Sequence, residues 1–219
     1  MNRARTFWQS TIGKKIGMAV TGLVMVGFLI EHASGNLLVF RSPEEFNRYA
    51  AFLKGLGGFL WVARAILLAS VVLHIVAAVQ LAQFAHAARP VGYQRRDPQV
   101  STFAVRTIRW SGALILLFVV LHLLHFTTGT IQPAPFSTEN VYANIVGGFR
   151  IWWVSAFYIL LMIPLGLHIY HGAWSSFRTL GTSRPKPNPL HRSVATVVAL
   201  GVWLGFTVIP VAVLLGVVP

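Results

Sequence analysis

The sequence has no cysteine and few charged residues. Without a thiol, the chain can form no disulfide, cannot ligate haem through a thiolate and cannot hold an iron–sulfur cluster through cysteine. Charged residues make up 11% of the chain, whereas a soluble globular domain usually contains about 25%. We therefore expect a folded surface that is not mainly in contact with water.

Long apolar runs are present instead. Hydrophobic residues are 55% of the chain, and the mean hydropathy is +0.66. Several runs approach or exceed the roughly 20 residues that a helix needs to cross a bilayer. The sequence predicts one all-α integral membrane domain over residues 1–219, a bundle of five transmembrane helices. The predicted spans cover about residues 16–40, 60–88, 110–131, 151–177 and 195–218.

The basic residues are unevenly distributed among the connections between these spans. Thirteen of the 18 lysines and arginines precede the first span or lie between the second and third or the fourth and fifth. Because basic residues collect in the cytoplasmic loops of membrane proteins, we expect a cytoplasmic N-terminus and a C-terminus outside. The same rule explains the formal net charge of +13, so no nucleic acid is expected as a partner.

Both outer loops contain the pattern of a short amphipathic helix. In the first loop, Ser42 is a predicted N-cap, Pro43 takes the first helical position, and three glycines between 55 and 58 end the helix. The second loop repeats this plan more weakly from Ser137 to Gly148. Such helices are expected to lie on the outer surface of the membrane that the chain spans.

Histidines lie well inside four of the five apolar runs. They are His32, His74, the pair His122 and His125, and the pair His168 and His171. Ionisable side chains inside a membrane are costly, so they usually face the bundle interior and have a function there. Imidazoles from facing helices can hold haem iron. The alternative for any one of them is a hydrogen bond between helices.

A weak internal repeat suggests how these histidines are paired. His32 and His122 are 90 residues apart, as are the Gly-Gly-Phe motifs at 57–59 and 147–149. The position equivalent to His74 is Pro164, with His168 one helical turn further along. Two related hairpins followed by a fifth span would explain the pattern, although a chance coincidence remains the alternative.

This repeat favours two bis-histidine sites. A haem takes one axial ligand on each face, so two histidines of one helix do not flank the same iron. We expect His32 and His122 to form an outer site, and His74 and His168 an inner site nearer the basic side. Bis-histidine ligation leaves no open position on the iron and therefore favours electron transfer.

Other polar residues near these positions have more than one possible role. His125 and His171 could bond to a haem propionate, a quinone or a neighbouring helix. Glu31 is either a proton-handling group or a partner for a histidine or the backbone. With Asn36 and His125, it is a further candidate for quinone or proton binding, and His171 is one for a propionate.

The histidine-bearing segments resemble a known family. KKIGMAVTGLVMVGFLIEHASGN, VVLHIVAAVQLAQF, LLFVVLHLLHF and LGLHIYHGAWSSF look like the cytochrome b subunit of succinate:quinone oxidoreductases. The likeness is to the five-helix, two-haem b558 type that anchors succinate dehydrogenase or fumarate reductase, and it covers nearly the whole chain.

The resemblance implies a cofactor set and partners. It implies two haem b groups, with His32 and His122 as iron ligands of the outer one and His74 and His168 of the inner one. It also implies a flavoprotein with FAD and an iron–sulfur subunit on the cytoplasmic face of a prokaryotic inner membrane. This chain would pass electrons to or from a quinone, expected to be menaquinone, and would hold no dicarboxylate site of its own.

The chain departs from this family at one position, and several other functions are alternatives. Some dihaem fumarate reductases have a glutamate, linked to proton transfer, where this chain has Gly166, so that pathway is not assumed here. The rivals are the dihaem cytochrome subunit of another respiratory dehydrogenase, a non-haem di-iron membrane oxygenase, and a transporter without a cofactor.

Overall fold

The computed structural model describes residues 7–88, 102–182 and 189–218. These residues are helical with short connections, and no strand occurs among them. We number the α-helices α1 to α7 in chain order: Thr11–Asn36, Pro43–Gly55, Gly58–Ala87, Phe103–His122, Val141–Phe149, Trp152–Thr179 and Pro189–Leu214. A 3₁₀ turn, Leu37–Phe40, extends α1, and a π-helical turn, Leu123–Thr127, extends α4.

Five of these helices are long and apolar enough to cross a membrane, as predicted. They are α1 and α4 with their extensions, together with α3, α6 and α7. The chain is therefore a multi-pass membrane protein. The third and fifth spans begin earlier than predicted, at Phe103 and Pro189, and the third ends at Thr127. Gly129, within the predicted span, has a φ of 71° and lies in a turn.

The predicted cap of the first loop helix is confirmed. The hydroxyl oxygen of Ser42 accepts a hydrogen bond from the backbone N–H of Glu45, and Pro43 begins α2. The prediction that the second loop helix starts at Ser137 is wrong. Asn140 caps α5 instead, because its side chain accepts from the N–H of Ala143. Ser137 bonds to the backbone N–H groups of residues 139 and 140 and holds the turn before the helix.

The bundle is apolar outside and closely packed along only some helix pairs. Helix α1 packs along α3, α6 and α7, while α4 packs along α6, and α6 along α7. Large apolar side chains on the outer surfaces, such as Trp61, Leu117 and Val197, are more than half exposed. An apolar surface of this kind suits a lipid environment.

The two ends of the bundle differ in composition. At one end the loop helices α2 and α5 pack together with the ends of α6 and α7 around Phe46, Tyr142 and Phe149. This is the loop-helix end. The opposite, basic end carries Lys14, Arg106, Arg178 and other cations. Seven more basic residues counted in the sequence, Arg3, Arg5, Arg89, Arg95, Arg96, Arg184 and Lys186, lie outside the described residues.

Helix α6 continues through Pro164. Proline removes one backbone donor from the ladder, so the carbonyl one turn earlier loses its intrahelical partner there. Helix α7 likewise contains Pro210, which is fully buried near the loop-helix end.

Candidate functional site

Two pairs of histidines face each other inside the bundle. The ring centroids of His32 on α1 and His122 on α4 are 5.9 Å apart, with an angle of 89° between the ring planes. The centroids of His74 on α3 and His168 on α6 are 6.3 Å apart, at 53°. These are the four histidines, and the two pairings, that the repeat favours.

The spacing of the rings fits two imidazoles on opposite sides of one metal ion. With a metal–nitrogen bond of about 2.0 Å and about 1.1 Å from that nitrogen to the ring centre, two axial imidazoles have centroids roughly 6 Å apart. Both observed distances are close to this value. The donor set of two imidazoles therefore fits haem iron at each site.

The helices that carry each pair are not closely packed against each other. Close packing joins α1 to α3 and α4 to α6, but not α1 to α4 or α3 to α6 within the described chain. Each histidine therefore faces a partner on a helix along which its own helix does not pack. A flat macrocycle needs such a separation, whereas a simple interhelical hydrogen bond would need the helices to be close.

Hydrogen bonds orient the rings of the inner pair. Nδ1 of His74 is 3.0 Å from the carbonyl oxygen of Met18 and 3.3 Å from the hydroxyl of Thr21. Nδ1 of His168 is 3.1 Å from the hydroxyl of Ser111. Within the described residues, no hydrogen bond reaches Nε2 of either ring, so that nitrogen is available as a ligand.

Aromatic side chains surround the outer pair. The His32 ring stacks on Phe28 at 5.3 Å and lies 5.6 Å from Phe206, which comes from α7. The His122 ring lies within 6.1 Å of Phe118, Phe126 and Tyr158. Nδ1 of His122 is buried and has no hydrogen-bond partner in the described part of the chain. The fifth span thus helps to enclose this site.

His125 does not share the site of His122. Its Nδ1 bonds to the hydroxyl of Tyr158 at 2.9 Å, and its ring stacks on Phe126 at 3.9 Å. His125 is 4% exposed, and its Nε2 has no hydrogen-bond partner among the described residues. Oε1 of Gln132 is also buried and has no hydrogen-bond partner in the described part of the chain. The side chains of His125 and Gln132 lie close enough to interact with each other.

The remaining sequence candidates lie apart from the facing rings. His171 contacts Trp174, with 6.4 Å between ring centroids. The side chain of Asn36 donates to the carbonyl of His32 at 2.7 Å and is used within its own helix. Glu31 is exposed and accepts a hydrogen bond of 2.6 Å from Tyr49 on α2. Its partner is thus a tyrosine of the loop helix, which sequence reasoning did not anticipate.

Ligand geometry bears on the di-iron alternative. Among the described residues, no group of three or more His, Cys, Asp or Glu side chains could hold a metal ion. A di-iron centre needs such clusters, with several imidazoles and carboxylates together. The facing pairs offer two ligands each, which suits a metal that brings its own macrocycle.

Sequence reasoning missed Tyr158, Thr21 and Ser111. Thr21 and Ser111 are 90 residues apart, so the repeat could have identified them. Tyr158 had no comparable signal, because an aromatic residue in an apolar helix is ordinarily a packing residue.

Comparison with known proteins adds no family to this description. No family model matches the chain, and neither a curated protein nor a solved structure does. The fold and the site themselves define the class: a helical, multi-pass membrane protein with two facing histidine pairs.

Proposed function

We propose that this chain is the membrane-anchor cytochrome b subunit of a succinate:quinone oxidoreductase. The observation that carries the proposal is the pair of facing histidine couples, His32 with His122 and His74 with His168, each on two helices that do not pack along each other. A transporter or a purely structural bundle gives no reason for two such couples. The resemblance of the histidine-bearing segments to the b558 anchors supports the choice within respiratory enzymes.

In this proposal the four imidazoles hold two haem b groups. Each haem would supply a one-electron couple between ferric and ferrous iron. His74 and His168 would hold the inner haem, and His32 and His122 would hold the outer one. Phe28, which stacks on His32, and the other aromatic residues around the outer pair exclude water from that site.

The basic end is the proposed docking side. By the positive-inside rule this end would face the cytoplasm, in a prokaryotic inner membrane with the C-terminus outside. The flavoprotein with FAD and the iron–sulfur subunit would bind there. Electrons exchanged with those subunits would then meet the inner site before the outer one.

In this proposal the quinone binds near the outer site. Quinone reduction takes up two electrons and two protons to give the quinol, so polar groups must contact its oxygens. His125 is the best candidate in this chain, because its ring is buried beside Tyr158 and the polar side chain of Gln132 lies next to it. Asn36 is less suitable, since its amide is engaged by the His32 carbonyl.

A visible spectrum and a haem assay of the purified chain test the proposal. We expect a reduced-minus-oxidised signal of the b type and two haems per polypeptide by pyridine haemochrome assay. One haem or none would overturn the proposal. Subunits that co-purify then decide between respiratory enzymes: a flavoprotein with succinate dehydrogenase activity supports this assignment, while a formate dehydrogenase or hydrogenase subunit overturns it.

A further inference from the structure

The two inner histidines are held in the same way by two hydroxyl side chains. We propose that Thr21 and Ser111 are a matched pair of positioning residues that keep His74 and His168 in the Nδ1–H tautomer. This inference rests on the proposed haem function and deepens it, because it assigns the residues that orient the inner ligands and tune the inner iron.

The proton on His74 can be assigned from its partners. The carbonyl oxygen of Met18, 3.0 Å from Nδ1, can only accept a hydrogen bond, so Nδ1 must carry the proton. The hydroxyl proton of Thr21 is used in a bond of 2.8 Å to the carbonyl of Gly17. The hydroxyl oxygen is therefore a second acceptor for Nδ1–H. A neutral ring protonated at Nδ1 has its free electron pair at Nε2.

The same argument holds for His168. The hydroxyl of Ser111 donates its only proton to the carbonyl of Ile108 at 3.0 Å. Its oxygen can then only accept from Nδ1 of His168, 3.1 Å away. Nε2 of His168 is again the unprotonated nitrogen, and the two free nitrogens belong to rings that face each other.

The residues that contact the two inner histidines from α1 and α4 occur in pairs separated by the same number of positions. Thr21 and Ser111 are 90 residues apart, and so are the carbonyl residues Met18 and Ile108. Gly22 and Gly112 keep the same offset, and a Cβ at either would lie 3.3 or 3.6 Å from Cε1 of the corresponding histidine. The 90-residue offset therefore holds for the residues of α1 and α4 that contact each inner ligand, whereas His74 and His168 themselves are 94 residues apart.

The outer pair has no such arrangement. Nδ1 of His122 is buried without a partner in the described residues, and its neighbours are aromatic rings. The inner and outer sites thus differ in the hydrogen bonding of their ligands. An acceptor on the second nitrogen of a ligating histidine fixes its tautomer and makes the ring a stronger electron donor to the metal. Loss of that acceptor should therefore favour the ferrous form.

Redox titration of the full chain, with whatever subunits co-purify, tests the proposal. The inner component is identified as the one that His74→Ala removes. We expect Thr21→Val and Ser111→Ala each to shift the midpoint potential of this component upward and to change its low-spin electron paramagnetic resonance signal. The double variant should shift it further. The outer component should keep its potential in all three and serves as the internal reference.

Two further variants separate this effect from a general disturbance. Thr21→Ser keeps the hydroxyl and should restore the wild-type potential. Thr107→Val is the matched control, because Thr107 on α4 makes the same kind of bond to a carbonyl one turn earlier but touches no histidine ligand. Ser111→Ala removes only one oxygen atom, so the inner potential can still be measured in this variant if Thr21→Val does not accumulate.

The possible failures are distinguishable. If the wild-type chain binds no haem, the proposed function fails and this inference fails with it. If both haems bind but the double variant leaves the inner potential unchanged, or shifts both components equally, only this inference is overturned.

Discussion

The hydroxyl of Tyr49 donates a hydrogen bond to the carboxylate of Glu31, with 2.6 Å between Oη and Oε1. This contact ties the loop helix α2 to the first span beside the outer histidine His32. The Tyr49 ring lies over Gly35, where a Cβ would be 2.6 Å from the ring. A single tyrosine therefore positions the loop helix by both packing and hydrogen bonding.

Tyr49 should titrate at unusually high pH. Burial, followed by the hydrogen bond to Glu31 and its negative charge, raises the pKa of Tyr49 from 10.0 to about 12. Because the folded state favours the protonated form, the resulting stabilisation is complete below pH 10 and is lost as the pH rises through about 12. The tyrosinate absorbance of wild type minus that of Tyr49→Phe measures this titration.

Glu31→Gln should lower the pKa of Tyr49 toward its ordinary value, since the charged acceptor is removed. Glu139→Gln, in the other loop, is the control and should leave the titration unchanged. A wild-type Tyr49 that already titrates near 10 would contradict the contact.

Gly35→Ala should destabilise the protein. The new Cβ would overlap the Tyr49 ring, which is held in place by its bond to Glu31, so the ring and α2 must move. Overpacking of this kind costs about 1–3 kcal/mol. Gly27→Ala on the same helix is the matched control, because no atom outside its own helix lies within 4 Å of the added Cβ.

Thermal unfolding in detergent checks this pair of variants. We expect a lower midpoint for Gly35→Ala and an unchanged or higher midpoint for Gly27→Ala, since alanine is the better helix former. Equal midpoints would mean that the α2 contact does not contribute to stability.

Alanine substitutions of the four facing histidines should fall into two classes. His74→Ala and His168→Ala should each abolish the same redox component, because both rings belong to the inner site. His32→Ala and His122→Ala should each abolish the other. Redox titration with a haem assay measures this, and each variant should retain about half of the haem. Loss of one shared component in His74→Ala and His122→Ala would show that the pairing is wrong.

His125→Ala and His171→Ala should retain both haems. The ring of His125 bonds to Tyr158, and that of His171 contacts Trp174, so neither lies opposite another histidine. The haem content of the two variants should match that of wild type. Loss of a haem from either, with its neighbouring histidine intact, would mean that the other member of that pair is the ligand.

If His125 contacts the quinone, His125→Ala should lower the rate of quinone reduction while both haems remain reducible. His171→Ala is the control for this measurement. An unchanged rate in His125→Ala would remove His125 from the proposed quinone site.

Hydropathy and the positions of the histidines in the sequence predicted much of this structure without information on tertiary contacts. Length and apolar composition alone identify all five spans, because a lipid-exposed helix must be apolar over its whole crossing. The Ser42–Pro43 start of α2 is equally local, since a cap depends on residues within one turn. The 90-residue offset between His32 and His122 suggested one pairing, and Thr21 and Ser111 follow the same offset.

Tertiary structure decided which histidine of each pair faces a partner. Residues three apart lie on nearly the same side of a helix, so periodicity cannot choose between His122 and His125. The π-helical turn, which begins at Leu123 directly after His122, lies around His125 and changes its direction relative to a regular helix. Its ring consequently reaches Tyr158 from another span. That choice depends on which helices pack together and which remain apart, and side-chain pattern within one helix carries no such information.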